Sequence, residues 1–161
     1  MKFRPLQKED WPTVRKIYRE GMDTGMATFE TEVPDWETWD MKFLKKCRLV
    51  AENENGVVGW AVLSPASKRY VYRGVAEVSI YIDLNSSGKG IGSALLNALI
   101  KASEEENFWT LQSVIFSENQ VSIHLHEKYG FRIVGIRERI AQRNGVWTDT
   151  VLMERRSKNI F

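Results

Sequence analysis

The spacing of apolar and polar residues changes period several times along the chain, and each change marks an element. Residues 2–6 read as a short strand. Asp10 then reads as a helix N-cap, with Pro12 in the first turn where its missing N–H costs nothing. Val14, Ile17, Tyr18 and Met22 recur at helical spacing, and Gly21 and Gly25 weaken and end that helix. Residues 27–34 carry no helical pattern, and Pro34 disfavours helix at Val33. A second helix is expected from Trp36 to Cys47. Leu49–Glu52 and Val57–Leu63 read as strands joined by a turn at Asn55-Gly56.

Residues 64–73 form a polar loop bearing Tyr70, Tyr72 and Arg73, and Val75–Ile82 is a strand by its β-branched content. The next helix puts Ile91, Leu95, Ala98, Leu99 and Ala102 on one face. Val114–Phe116 follows as a strand, then a helix over Asn119–Tyr129 with Gly130 beyond it. Phe131–Arg137 and Trp147–Met153 close the chain as two strands about Asn144-Gly145. The order β-α-α-β-β-β-α-β-α-β-β predicts an α/β (α+β) fold with a mixed central sheet flanked by helices. No repeat, linker or low-complexity run divides residues 1–161, so one domain is expected.

Composition narrows the class. A chain of 161 residues that is 43% hydrophobic and 27% charged is an ordinary globular domain. Cys47 is its one cysteine, which excludes an internal disulfide and a zinc–thiolate site and fits a reducing compartment. The net charge of +2 gives no electrostatic case for a nucleic-acid partner. No apolar stretch follows the early charges as in a signal peptide, and none approaches a membrane span. A cytoplasmic protein without membrane or nucleic-acid partners is expected. Six tryptophans exceed the needs of one small core, so some are expected at a pocket or a dimer contact.

The candidate chemistry begins at Ser87-Gly88-Lys89-Gly90-Ile91-Gly92, between a strand and an amphipathic helix. Glycines let backbone N–H groups approach an anion, and a helix start adds orphan donors, so pyrophosphate is a natural guest. The nucleoside-triphosphate loop is excluded, because Asp83 stands where it needs its first glycine. The dinucleotide fingerprint is excluded too, because Ser93 holds the place of its third glycine. The spacing of Gly90 and Gly92 resembles the acetyl-coenzyme A loop of the GNAT N-acetyltransferase superfamily, with Ser87 replacing the usual Gln or Arg. The resemblance continues through Asn119, Leu125, Gly130 and Phe131, with Ser122 in place of Ala and His126 where many relatives carry a tyrosine. Met26–Glu32, Ala76–Ile82, Leu125-His126-Glu127 and Asn144–Asp149 are similar to the phosphinothricin and methionine sulfoximine acetyltransferase branch.

The resemblance implies acetyl transfer from acetyl-CoA, used as cosubstrate and without a metal, to the amino group of a small amino acid or analogue. Glu77 is implied as general base, its alternative being a solvent-facing strand glutamate. His126 is implied either to protonate the leaving thiolate or to orient the amine, its alternative being a packed or surface histidine. Ile80, Tyr81 and Ile82 are expected to offer backbone groups to the pantetheine arm, which behaves as an added strand. Gly88, Lys89, Gly90, Ile91, Gly92 and Ser93 are expected at the pyrophosphate, where Lys89 either adds charge or stands solvated. Asn119 and Lys128 join the cofactor set, although Asn119 is also a good N-cap. An anionic substrate group favours arginine, so Arg73 beside Tyr72 is the expected reader, with Phe29, Glu30 and Tyr70 as pocket wall. Relatives are often dimers, so a homodimer is expected. The alternatives are a GNAT enzyme acting on protein N-termini or polyamines, and a non-catalytic acyl-CoA-binding module.

Overall fold

The computed structural model describes all of residues 1–161. Its elements are β1 (Lys2–Pro5), α1 (Trp11–Asp23), α2 (Trp36–Lys42), β2 (Leu49–Asn53), β3 (Gly56–Pro65) and β4 (Val75–Ile82), followed by α3 (Ile91–Glu105), β5 (Thr110–Phe116), α4 (Gln120–Lys128), β6 (Arg132–Arg143) and β7 (Val146–Arg156). This is the expected element order. The seven strands form one sheet in the order β1-β2-β3-β4-β5-β7-β6. Every pair is antiparallel except β4–β5, so the sheet is mixed.

The pleat sends alternate side chains of β3 and β4 to opposite faces, and each face has its own core. Ala61, Leu63, Ala76 and Val78 pack on one face with Leu95, Leu96 and Leu99 of α3. Trp60 and Val62 pack on the other with Val14, Ile17 and Tyr18 of α1 and Trp39 of α2. Four of the tryptophans meet on that second face. Trp39 lies 5.3 Å from Trp11, 5.6 Å from Trp36 and 5.6 Å from Trp60, ring centre to ring centre. Trp39 and Trp60 are buried there with the partly buried Trp11 and Trp36 packed against them, while Trp109 lines a surface groove and Trp147 is exposed.

Several local expectations are corrected. α2 stops at Lys42 rather than Cys47, because Phe43 is extended and buried in the tryptophan cluster. The carbonyls left open there are collected by the Arg48 guanidinium, which donates to Asp40 O at 2.7 Å, Phe43 O at 2.9 Å and Leu44 O at 2.6 Å. Asp10 does not cap α1 through its side chain. Its carboxylate instead takes two 2.8 Å bonds from Arg4 and one from the Gln7 N–H. Gly21 does not end α1. A Cβ there would stand 2.6 Å from the Tyr81 ring, so this glycine lets the helix settle on β4. β6 and β7 run well past the expected ends and join at Asn144-Gly145, both with positive φ as a tight hairpin turn requires.

Candidate active site

The parallel pairing of β4 with β5 lasts three rungs: Val75 with Thr110, Ala76 with Leu111, Glu77 with Gln112. Past that rung the strands separate, although β4 continues to Ile82 and β5 to Phe116. A cavity of about 310 Å³ opens on this fork. Its walls include Glu77, Ile80 and Tyr81 from β4, Ser113–Phe116 from β5, Met26–Glu30 from the segment after α1, and Asn119 and His126 from α4. Backbone groups on the parted edges lack a sheet partner, and an extended amide-bearing chain laid between them supplies one.

Glu77 points to the face that carries α1 and α2, and its Oε1 accepts a 3.0 Å hydrogen bond from Gln112 Nε2. His126 is buried, with 1% of its surface exposed. Its Nδ1 lies 2.7 Å from the Ser122 carbonyl oxygen. A carbonyl only accepts, so Nδ1 carries the hydrogen and Nε2 presents a lone pair. That Nε2 has no partner in the fold. Burial lowers the His126 pKa below the ordinary histidine value, the Ser122 carbonyl only partly opposing it. A neutral ring in this tautomer accepts a hydrogen bond, which suits orienting an amine and does not suit protonating a thiolate.

Tyr81 and Tyr18 form an aromatic wall with Trp60, their rings 5.0 Å apart. Burial pushes the Tyr18 phenol up to about 12 and raises that of Tyr81 as well, so both stay protonated at neutral pH. Phe29 meets Phe116 edge to face at 4.6 Å, and the Arg143 guanidinium stacks on Phe116 at 4.9 Å. Glu30 pairs with Lys42 at 3.9 Å, and both line the cavity. Asn119 caps α4 by accepting from Ser122 N and donates to Met26 O, which pins the 26–30 segment over the fork.

The glycine loop adjoins the fork. Gly88 and Gly90 have φ of +75° and +80°, and no atom lies within 4 Å of where a Cβ would stand on either. The left-handed turn at Gly90 starts α3, and the amides of its first turn have no intrahelical acceptor. Ile91 is buried in the core beneath, while Lys89 is exposed. Lys128 Nζ donates to Ser93 Oγ at 3.3 Å, and Ser93 Oγ also meets Tyr129 OH at 2.5 Å, which ties the end of α4 to the start of α3. Ile82 packs on the core beside Gly92. No group of three His, Cys, Asp or Glu side chains stands close enough to hold a metal ion.

Three expected substrate residues fall elsewhere. Tyr70, Tyr72 and Arg73 do not line the cavity at Glu77. The Arg73 guanidinium stacks on Tyr70 at 4.3 Å and on Trp109 at 5.3 Å. Tyr72 lines a second, more open groove of about 630 Å³ with Trp109 and Gln112. The β3–β4 loop turns back before Val75, which carries these side chains to the paired end of β4 and away from the fork. Conversely, sequence reasoning missed Gln112, Lys42 and Phe116. Each reaches the site through strand register or a helix end, with no local motif to mark it.

Residues 3–152 match the family model described as an acetyltransferase (GNAT) domain. Among curated proteins, the chain is 33% identical to a phosphinothricin N-acetyltransferase of Alcaligenes faecalis, over 94% of this chain and 80% of that one. It is 30% identical to an L-methionine sulfoximine/L-methionine sulfone acetyltransferase of Pseudomonas aeruginosa, over 90% of this chain and 88% of that one. Among solved structures, a ribosomal-protein-alanine N-acetyltransferase from Brucella melitensis superposes with a TM-score of 0.90 at 29% identity, covering 98% of this chain and all of that one. A phosphinothricin acetyltransferase from Sinorhizobium meliloti in complex with AcCoA gives 0.88 at 30% identity, covering 99% and 95%.

Proposed function

The chain belongs to the GNAT acetyltransferase family and is an acetyl-CoA-dependent N-acetyltransferase, and from that premise we propose that its acceptor is the amino group of a small amino acid or analogue of the phosphinothricin, methionine sulfoximine or methionine sulfone type. The observation that carries the reading is that Glu77 at the fork and His126, whose buried Nε2 has no partner in the fold, line the same cavity.

The chemistry needs a neutral amine, a stabilised carbonyl oxygen and a leaving thiolate. An α-amine with a pKa near 8 is largely protonated at neutral pH. Glu77 takes that proton directly or through water. The nitrogen then attacks the thioester carbonyl, a new C–N bond forms, the C–S bond breaks to release the CoA thiolate, and the second proton of the attacking nitrogen passes to that sulfur, directly or through water, to give the amide and the CoA thiol. His126 Nε2 accepts an N–H of the amine and fixes its approach. Pantetheine lies along Ile80, Tyr81 and Ile82, and a β4 N–H holds the developing oxyanion. Gly88 to Ser93 hold the pyrophosphate, with Lys128 beside them. Asn119 serves through the cap and the Met26 contact.

The small cavity supports a compact acceptor. Phe29 and Phe116 form one wall, and Lys42 is the cation within the cavity for an acidic group on the substrate. Tyr72 borders the outer groove, and Arg73 and Tyr70 stack beside it, so none of the three is assigned to the acceptor pocket. The name of the Brucella neighbour favours protein N-termini as a second reading, and the two are separable. CoA release is measured with L-phosphinothricin, L-methionine sulfoximine, L-methionine sulfone, common amino acids, spermidine and a peptide beginning with alanine. Turnover is expected with the first three. Turnover of the peptide or spermidine alone keeps the family and overturns the proposed substrate.

A further inference from the structure

Gln112 stands opposite Glu77 on the last paired rung of β4 and β5. Its Nε2 is 3.0 Å from Glu77 Oε1, in a partly buried position, and Glu77 makes no ion pair. Gln112 also borders the 630 Å³ groove, while Glu77 lines the 310 Å³ cavity, so the amide is the partition between the two. We propose that Gln112 is a positioning residue for Glu77, holding one carboxylate oxygen so that the other faces the amine. This rests on Glu77 being the base.

The residue type fits the task. A glutamate at an open fork samples several rotamers, and a base must be within hydrogen-bond reach of its proton. One donor to Oε1 selects a rotamer and leaves Oε2 free. The donor is neutral. A lysine or arginine in its place brings a cation against the base and holds the carboxylate in its ionised, less basic form. An apolar residue there sets no rotamer. A glutamine at the register partner of Glu77 supplies direction without a charge.

The other titratable groups around Glu77 are already engaged or set back. Glu30 and Lys42 pair with each other, Tyr18, Tyr81 and His126 share the cavity, and Glu154 and Arg156 of β7 lie behind Gln112 along the groove. Glu154, the register partner of Gln112 on β7, is itself paired with Arg132 at 2.7 Å, and the two charged variants of opposite sign separate an effect on Glu77 from one on Glu154.

The test is the pH profile of kcat for the wild-type enzyme, Gln112→Leu, Gln112→Glu and Gln112→Lys, with the acetyl-CoA KM measured beside it. Gln112→Leu is expected to lower kcat about tenfold with KM changed less than about twofold. The acidic limb of the profile is expected to move up in Gln112→Leu, further up in Gln112→Glu, and down in Gln112→Lys, by about one pH unit at the extremes. A residue that only packs moves no limb in order of charge. Should Gln112→Leu fold poorly, the opposed shifts of the two polar variants decide the matter. Unshifted limbs and unchanged kcat in all three, with Glu77→Gln inactive, overturn the role of Gln112. Full activity of Glu77→Gln overturns the base itself and is a separate outcome.

Discussion

At the scale of single residues, the site depends on how burial and one hydrogen bond fix a side chain's state. His126 shows this most clearly. Its folded pKa lies below the ordinary value near 6.5 because burial penalises the imidazolium. The unfolded chain therefore binds the proton more tightly. Stability from the buried neutral ring is complete above pH 6.5 and is lost as pH falls through the folded pKa. Chemical denaturation between pH 7.5 and 5 is expected to show a steeper acid loss in the wild-type protein than in His126→Gln, and equal slopes contradict the assignment. Glu77 and His126 were legible as letters in the sequence because both lie in motifs whose spacing is local. Gln112 was not, because its partnership with Glu77 arises from a parallel register across 35 residues. Arg73 looked well placed by chain distance alone, yet its side chain stacks on Tyr70 and Trp109 at the paired end of the sheet.

At the scale of elements, two glycines of the same loop have different reasons. Gly90 turns left-handed into α3, which costs a side-chain-bearing residue about 1–2 kcal/mol. Gly92 lies within α3, where an added Cβ would meet Ile82 and Leu125 at ordinary distances of 3.6 and 3.7 Å. Gly90→Ala is therefore expected to lower the melting temperature and raise the acetyl-CoA KM several-fold. Gly92→Ala is expected to leave stability equal or higher, since alanine is the better helix former. Thermal melts and KM values of both variants check this, and an equal loss in the two contradicts it. The loop and its helix were readable because glycine spacing and amphipathic period are local signals. The end of α2 was not. It is set by the burial of Phe43 against Trp60 of β3, a contact distant in sequence, and by Arg48 turning back to collect the open carbonyls, a local contact that leaves no periodic signal.

At the scale of the whole molecule, the fold is a mixed sheet whose β4 and β5 part past Glu77, and the proposed chemistry is placed at that fork. No helix is long and apolar enough to cross a membrane. β6 ends the sheet as a long edge strand with Val134, Ile136 and Ile140 exposed, and Trp147 is exposed on the neighbouring β7. An unpaired apolar edge of this length invites a second strand or sheet, and a homodimer, as the resemblance implies, would cover it. Sedimentation is expected to give twice the chain mass of 18.7 kDa, reduced to one in Ile136→Lys; a monomeric wild-type protein rejects it. The central claim is that Glu77 at the fork is the base for acetyl transfer. Its most direct measurement is kcat for CoA release with the best amine of the panel, in the wild-type enzyme and Glu77→Gln. A fall of about 10²- to 10⁴-fold with the acetyl-CoA KM unchanged is the predicted result. A kcat within about threefold of wild type contradicts the claim.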